Sequence, residues 1–147
     1  MGLRLKFNLV LLVVFVLGLG VSGYISHDLL HRNAREEVLR NAGVMMEAAL
    51  SMRGYTNTQI RPLMPFSEET FHPQSVPAYS ATEIMNSLRK KYPDYSYKEA
   101  VLNPTNPRNR AVEWEADIVQ VFRNTPDRGE VSGMRETPTG PSLYLAR

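Results

Sequence analysis

The chain opens with an uncharged, strongly apolar run at residues 7–25, FNLVLLVVFVLGLGVSGYI. At about 1.5 Å per residue, a helix over this run crosses the roughly 30 Å of hydrocarbon in a bilayer. Arg4 and Lys6 precede the run, and no acidic residue lies upstream of it. Because positive charge stays on the cytoplasmic side, the sequence predicts a cytoplasmic N-terminus at residues 1–6, a single span at 7–25 and an exported domain at 26–147.

A cleaved signal peptide is the alternative interpretation of the same run. Val21-Ser22-Gly23 offers a small-residue cleavage site, but the apolar core is longer than the ~7–15 residues of such a peptide. Gly18, Gly20 and Gly23 also spell G-x-G-x-x-G, the pattern of a dinucleotide-binding loop, which requires a short strand before it. We therefore interpret the run as a membrane anchor whose small residues lie within a helix.

Composition excludes several classes of function. Apart from Arg4 and Lys6, basic and acidic residues are equal in number, so the exported domain lacks the electrostatic footprint of a nucleic-acid-binding protein. The chain has no cysteine, and these residues therefore provide no disulfide, thiol nucleophile, thiolate zinc site or thioether attachment of haem. Glu113, Glu115 and Asp117 alternate on a predicted helix and are interpreted as a solvated face. We expect no catalytic activity from these residues.

The exported residues predict an α+β fold. Apolar residues recur at three- and four-residue steps from Asp28 to about Met52, which indicates a long helix that ends at Arg53-Gly54. Residues 55–77 contain four prolines and several large apolar side chains, which predicts an irregular but ordered loop. The other predicted elements are a helix over residues 77–91, a strand over 95–102, a helix from 107 or 108 to about 124, and a hairpin with strands over 131–136 and 142–147.

The long helix carries an apolar stripe with two interpretations. Either the stripe is the seam of a parallel homodimer, as in a signalling stalk, or it covers the domain's own sheet. Both interpretations can hold on different faces of the helix. The stripe consists of Leu30, Ala34, Val38, Ala42 and Met45.

Two residue types are candidate metal ligands. His27 and His31 lie four residues apart, as in the H-E-x-x-H zinc motif, but Asp28 replaces the glutamate and no third ligand is evident. We interpret them as interfacial histidines on a stalk. Met45 and Met46 could each offer a thioether to haem iron, although methionines on an apolar helix face are usually core filler.

Three stretches carry a resemblance to a known family. They are ALSMRGYT at residues 49–56, FHPQSVPAY at 71–79 and NPTNPRNRAVEWE at 103–115. Together they resemble a family of exported, PAS-like sensor domains with c-type haem, long labelled a domain of unknown function, over roughly residues 28–147. The resemblance implies a PAS-like antiparallel sheet with flanking helices behind an N-terminal membrane span, often ahead of kinase, cyclase or chemoreceptor modules.

The family attaches haem through C-x-x-C-H, usually downstream of a segment like residues 142–147. Because this chain has no cysteine, we expect an N-terminal fragment, with haem c bound only in the complete protein and the sheet incomplete at the C-terminus. The haem-pocket or axial-ligand candidates are Met45, Met46 and His31, which lie on the predicted long helix, together with Arg53 and Tyr55.

The expected function is extracytoplasmic sensory input, through redox or gas sensing at haem, by a domain anchored in the inner membrane. The expected partners are the lipid bilayer and a second copy of the chain. The alternatives are a periplasmic c-type haem electron carrier with a cleaved signal peptide, and a PAS-like domain that binds a small ligand other than haem.

Overall fold

The computed structural model of the chain describes residues 2–64, 71–138 and 140–147. Part of the predicted irregular loop, residues 65–70, and Thr139 of the predicted hairpin turn lie outside the described residues. The chain divides into two compact units, Met1–Val38 and Leu39–Arg147.

The first helix, α1, spans Leu3–Tyr55 and contains the whole apolar run. Its most apolar stretch is unburied and is long and apolar enough to cross a membrane. Gly18, Gly20 and Gly23 all lie inside this helix. The G-x-G-x-x-G run is therefore not a phosphate-binding loop, which would need a turn between a strand and a helix.

The α-helix itself ends at Tyr55, one residue after the predicted stop at Arg53-Gly54. Helical structure continues through a π-helical turn at Thr56–Ile60 and a 3₁₀ turn at Arg61–Leu63. In the π turn, the backbone N–H of Arg61 donates to the carbonyl of Thr56, five residues earlier. Pro62 has no N–H with which to continue an α-helical pattern, so the tighter 3₁₀ turn follows.

The second helix, α2, spans Pro77–Arg89 and confirms the prediction to within two residues. It packs on α1 through a small core of Ala49, Ala81 and Met85. Both alanines are fully buried. The half-buried side chains of Met45, Leu88 and Tyr97 surround this core.

The predicted strand at residues 95–102 is wrong. Residues 95–100 form neither a helix nor a strand, and in this segment only Val101 pairs with another part of the described chain. Its N–H donates to the carbonyl of Asn109 at 2.8 Å, and its carbonyl accepts from the N–H of Ala111 at 2.9 Å. Tyr95 and Tyr97 alternate as the residues of a strand do, and this alternation led to the prediction. A strand also needs a neighbouring strand with which to pair along its length.

The third helix, α3, spans Glu113–Asn124 and begins later than predicted, because residues 107–109 form a separate 3₁₀ turn. The carboxylate of Glu115 accepts the backbone N–H of Val112 at 2.9 Å, which satisfies a free donor at the start of the helix. Glu115 is only 8% exposed. The interpretation of Glu115 as part of a solvated face is therefore wrong.

The predicted hairpin is confirmed. Strands β1, Val131–Thr137, and β2, Gly140–Ala146, pair antiparallel from Val131–Ala146 to Thr137–Gly140. Gly140 has a φ of 111°, a conformation that a residue with a Cβ rarely adopts. Helices and an antiparallel sheet together confirm the α+β class.

Candidate functional site

The candidate site is a polar network, the Tyr97 network, formed by Arg53, Tyr97 and Glu99 at the edge of the α1–α2 core. The phenol of Tyr97 donates to Oε1 of Glu99 at 3.0 Å. Nη1 of Arg53, on α1, lies 3.4 Å from Oε2 of the same carboxylate. The side chain of Glu99 is only 12% exposed, so its charge is held by these two partners instead of by bulk water.

Burial raises the pKa of Tyr97 to about 12, because the phenolate is poorly solvated beside the core. The negative charge of Glu99 and the hydrogen bond to its carboxylate raise this pKa further, whereas Arg53 lowers it. The phenol therefore stays protonated and remains a hydrogen-bond donor throughout the physiological pH range.

Titration of the full chain in detergent micelles should show a late phenolate step that belongs to Tyr97. A phenol with a native pKa near 12, against about 10 when unfolded, adds stability that is complete below pH 10. That stability is lost as the pH rises toward 12. Absorbance of phenolate against pH measures this directly. Tyr97→Phe should remove the late step, whereas Tyr95→Phe should retain it; an unchanged late step in Tyr97→Phe contradicts the assignment.

Lys98, which lies between Tyr97 and Glu99 in the sequence, contacts a different helix. Nζ of Lys98 lies 2.6 Å from Oε2 of Glu115, the carboxylate at the start of α3. Residues 97–99 therefore contact the α1–α2 core and Arg53 through Tyr97 and Glu99, and α3 through Lys98.

The π turn adjoins the same part of α1. Thr56, its first residue, is 1% exposed, and its hydroxyl donates to the carbonyl of Met52 at 2.9 Å. Insertions of this kind in helices occur frequently at functional sites. This turn directly follows Arg53, and both lie in or beside the stretch at residues 49–56.

The structure brings together some of the residues predicted from the resemblance. Met45 packs on the α1–α2 core, Met46 is half-buried, and Arg53 belongs to the Tyr97 network. Tyr55 is 54% exposed and does not join that core. His31 belongs to the other compact unit, where it is exposed.

Tyr97 and Glu99 were missed as site residues. Both belong to the stretch YSYKE, in which the alternation of Tyr95 and Tyr97 predicted a strand. Alternation also places Tyr97 and Glu99 on one side of an extended segment. A tyrosine and a glutamate two residues apart on one side are within hydrogen-bonding reach. This spacing is the feature of the sequence that could have identified Tyr97 and Glu99.

The residues present do not fit a covalently attached haem. The chain has no cysteine to form the thioether bonds. The side chain of Met45 is committed to packing against the core. Among the described residues, no group of three or more histidine, aspartate or glutamate side chains could hold a metal ion.

The chain matches a family of known proteins. The family model described as Tll0287-like matches residues 31–147, nearly the range over which the three stretches carry the resemblance. No curated protein and no solved structure matches the chain.

Proposed function

The chain belongs to the Tll0287-like family, and from this membership we propose that it is the extracytoplasmic sensory input domain of a membrane-anchored signal-transduction protein. The observation that carries the proposal is the composition of α1. This one helix contains the apolar run at residues 7–25 and also supplies Ala49 to the core and Arg53 to the Tyr97 network.

A sensor needs an element with two arrangements whose balance is shifted by a ligand. We assign this role to the C-terminal part of α1. Its ion pair with Glu99 is partly exposed, with 43% of the Arg53 side chain accessible. The Glu99 side chain is only 12% exposed, so its carboxylate needs a partner in either arrangement. A ligand that replaces Arg53 as that partner would shift this part of the helix by its difference in affinity for the two arrangements.

The finer parts of the proposal concern the fold and the ligand. In it, the hairpin β1–β2 is part of a PAS-like sheet, and haem c binds in the complete protein. The thiols for haem attachment would have to come from outside residues 1–147. The proposal assigns no catalysis to the residues of this chain.

Topology is the first test of this function. Alkaline phosphatase fused after Arg147 should be active and a cytoplasmic reporter at the same position silent, because Arg4 and Lys6 hold the N-terminus inside. The active fusion should remain in the membrane after an alkaline carbonate wash. The reverse reporter pattern would overturn the proposal. If the fusion is instead cleaved after Gly23 and released from the membrane, the alternative of a soluble electron carrier with a cleaved signal peptide would be favoured.

A further inference from the structure

Two of the three histidines in the chain lie side by side on α1. The ring centroids of His27 and His31 are 4.3 Å apart, and the ring planes are inclined by 72°. Both side chains are exposed. In the described part of the chain, neither imidazole takes part in an ion pair or a side-chain hydrogen bond, so no protein partner there occupies the ring nitrogens.

We propose that His27 and His31 form a chelating site for a divalent transition-metal ion, of the class that prefers imidazole ligands, such as Zn²⁺, Ni²⁺ or Cu²⁺. Neutral imidazole is the commonest metal ligand among protein side chains and suits these ions. Histidines four residues apart on a helix project from one face, which is how the H-E-x-x-H motif presents two nitrogens to one zinc ion.

The neighbouring side chains limit the site to two protein ligands from one copy. The carboxylate of Asp28 is 2.8 Å from the guanidinium of Arg32, so its charge already has a partner. Asp28 also projects from α1 about 100° away from His27. The remaining coordination positions are filled by water or by the imidazoles of a second copy.

This arrangement supports binding and not hydrolysis. A catalytic zinc site has three protein ligands and, in the H-E-x-x-H enzymes, a glutamate that activates water. Here the residue after the first histidine is Asp28, which is paired with Arg32. The site rests on the geometry of the unit Met1–Val38 alone and stands independently of the sensory function.

The test uses the full chain in detergent micelles, purified with an affinity tag that contains no histidine, and Zn²⁺ as the probe. Equilibrium dialysis should detect one site that is lost on substitution of either ring. Because the second imidazole binds intramolecularly, His27→Asn or His31→Asn should each weaken Zn²⁺ binding roughly a hundredfold. His72→Asn, which removes the third histidine, should leave the affinity unchanged.

A second variant keeps the composition and changes only the spacing. His31→Asn combined with Asn33→His separates the imidazoles by six residues, which places them on different faces of α1; it should bind as weakly as His31→Asn. Electron paramagnetic resonance of Cu²⁺ should show two coordinating nitrogens for a site in one copy and four for a site shared by two, and either number supports the chelate. Unchanged Zn²⁺ affinity in the spacing variant, or an equal loss in His72→Asn, would overturn the proposal.

Discussion

Met85→Ala should lower the free energy of unfolding of the unit Leu39–Arg147 by about 2–5 kcal/mol. Met85 is 6% exposed and packs with Ala49 and Ala81 in the core. The side chain of each alanine is a single methyl group, which cannot rotate into the space that truncation leaves. The loss of buried apolar surface and the resulting cavity therefore both contribute to the cost.

The measurement is urea unfolding of the full chain in detergent micelles, followed by the fluorescence of Trp114, the only tryptophan in the chain. Trp114 lies on α3, so its signal reports on the folded unit and not on the membrane span. Met134 on β1 offers a matched control, because it is 63% exposed. Met134→Ala should change the free energy of unfolding by no more than about 0.5 kcal/mol. Equal effects of the two variants would show that the α1–α2 core does not determine stability.

The elements that the sequence predicted correctly are those with strong local signals. Pro77 fits the first turn of α2, where its missing N–H costs nothing. At the hairpin, the positive φ of Gly140 explains why the turn forms there. The uncharged run at residues 7–25 predicts a helix from length and composition alone, and α1 contains it.

The errors arose where a long-range contact decides the structure. Residues 95–102 have the alternation of a strand, but pairing in the described chain is limited to Val101. Tyr97, Lys98 and Glu99 are instead held by side-chain contacts to α1 and α3. Such contacts depend on residues far away in the sequence, which a local pattern does not contain.

The same reason explains the burial of Glu115. Within α3 it alternates with other acidic residues and resembles a solvated position. Lys98, 17 residues earlier, supplies the opposite charge at 2.6 Å, and the N–H of Val112 supplies a hydrogen bond. The carboxylate is buried because both partners are present.

The apolar stripe of α1 divides at the boundary between the two units. Met45 and Ala49 pack in the α1–α2 core. Leu30 and Val38, further toward the N-terminus, are 66% and 40% exposed. The C-terminal end of the stripe therefore packs in a core between two helices, where the second interpretation expected the domain's sheet. We propose that the exposed part, from Leu30 to Val38, is the seam of a parallel homodimer.

Val38→Glu should weaken association of the full chain in detergent micelles about 10- to 150-fold. A valine that becomes buried in the seam contributes roughly 1.5–3 kcal/mol, and the new carboxylate would lose water without gaining a partner. Asn33→Glu adds the same charge at an exposed position away from the stripe and should change association by about twofold or less. Sedimentation equilibrium measures both. Val38→Glu should leave the urea midpoint of Trp114 unchanged, because Val38 is not part of the α1–α2 core.

Cysteines introduced one at a time on α1 test whether Val38→Glu weakens association because it lies in a dimer seam or for another reason. The chain has no native cysteine to interfere. A disulfide forms only where two Cα atoms come within about 7 Å. At 100° per residue, positions 34 and 38 face the seam, whereas positions 32 and 36 face away from it. Oxidation in membranes should crosslink the first two and not the second two. Equal crosslinking at all four positions would indicate random collision between copies. No crosslinking at any of the four would mean that the stripe does not form a seam and that its role is limited to the core that contains Met45 and Ala49. In either case the dimer would be wrong, and the sensory proposal would then depend on movement of α1 within a single copy.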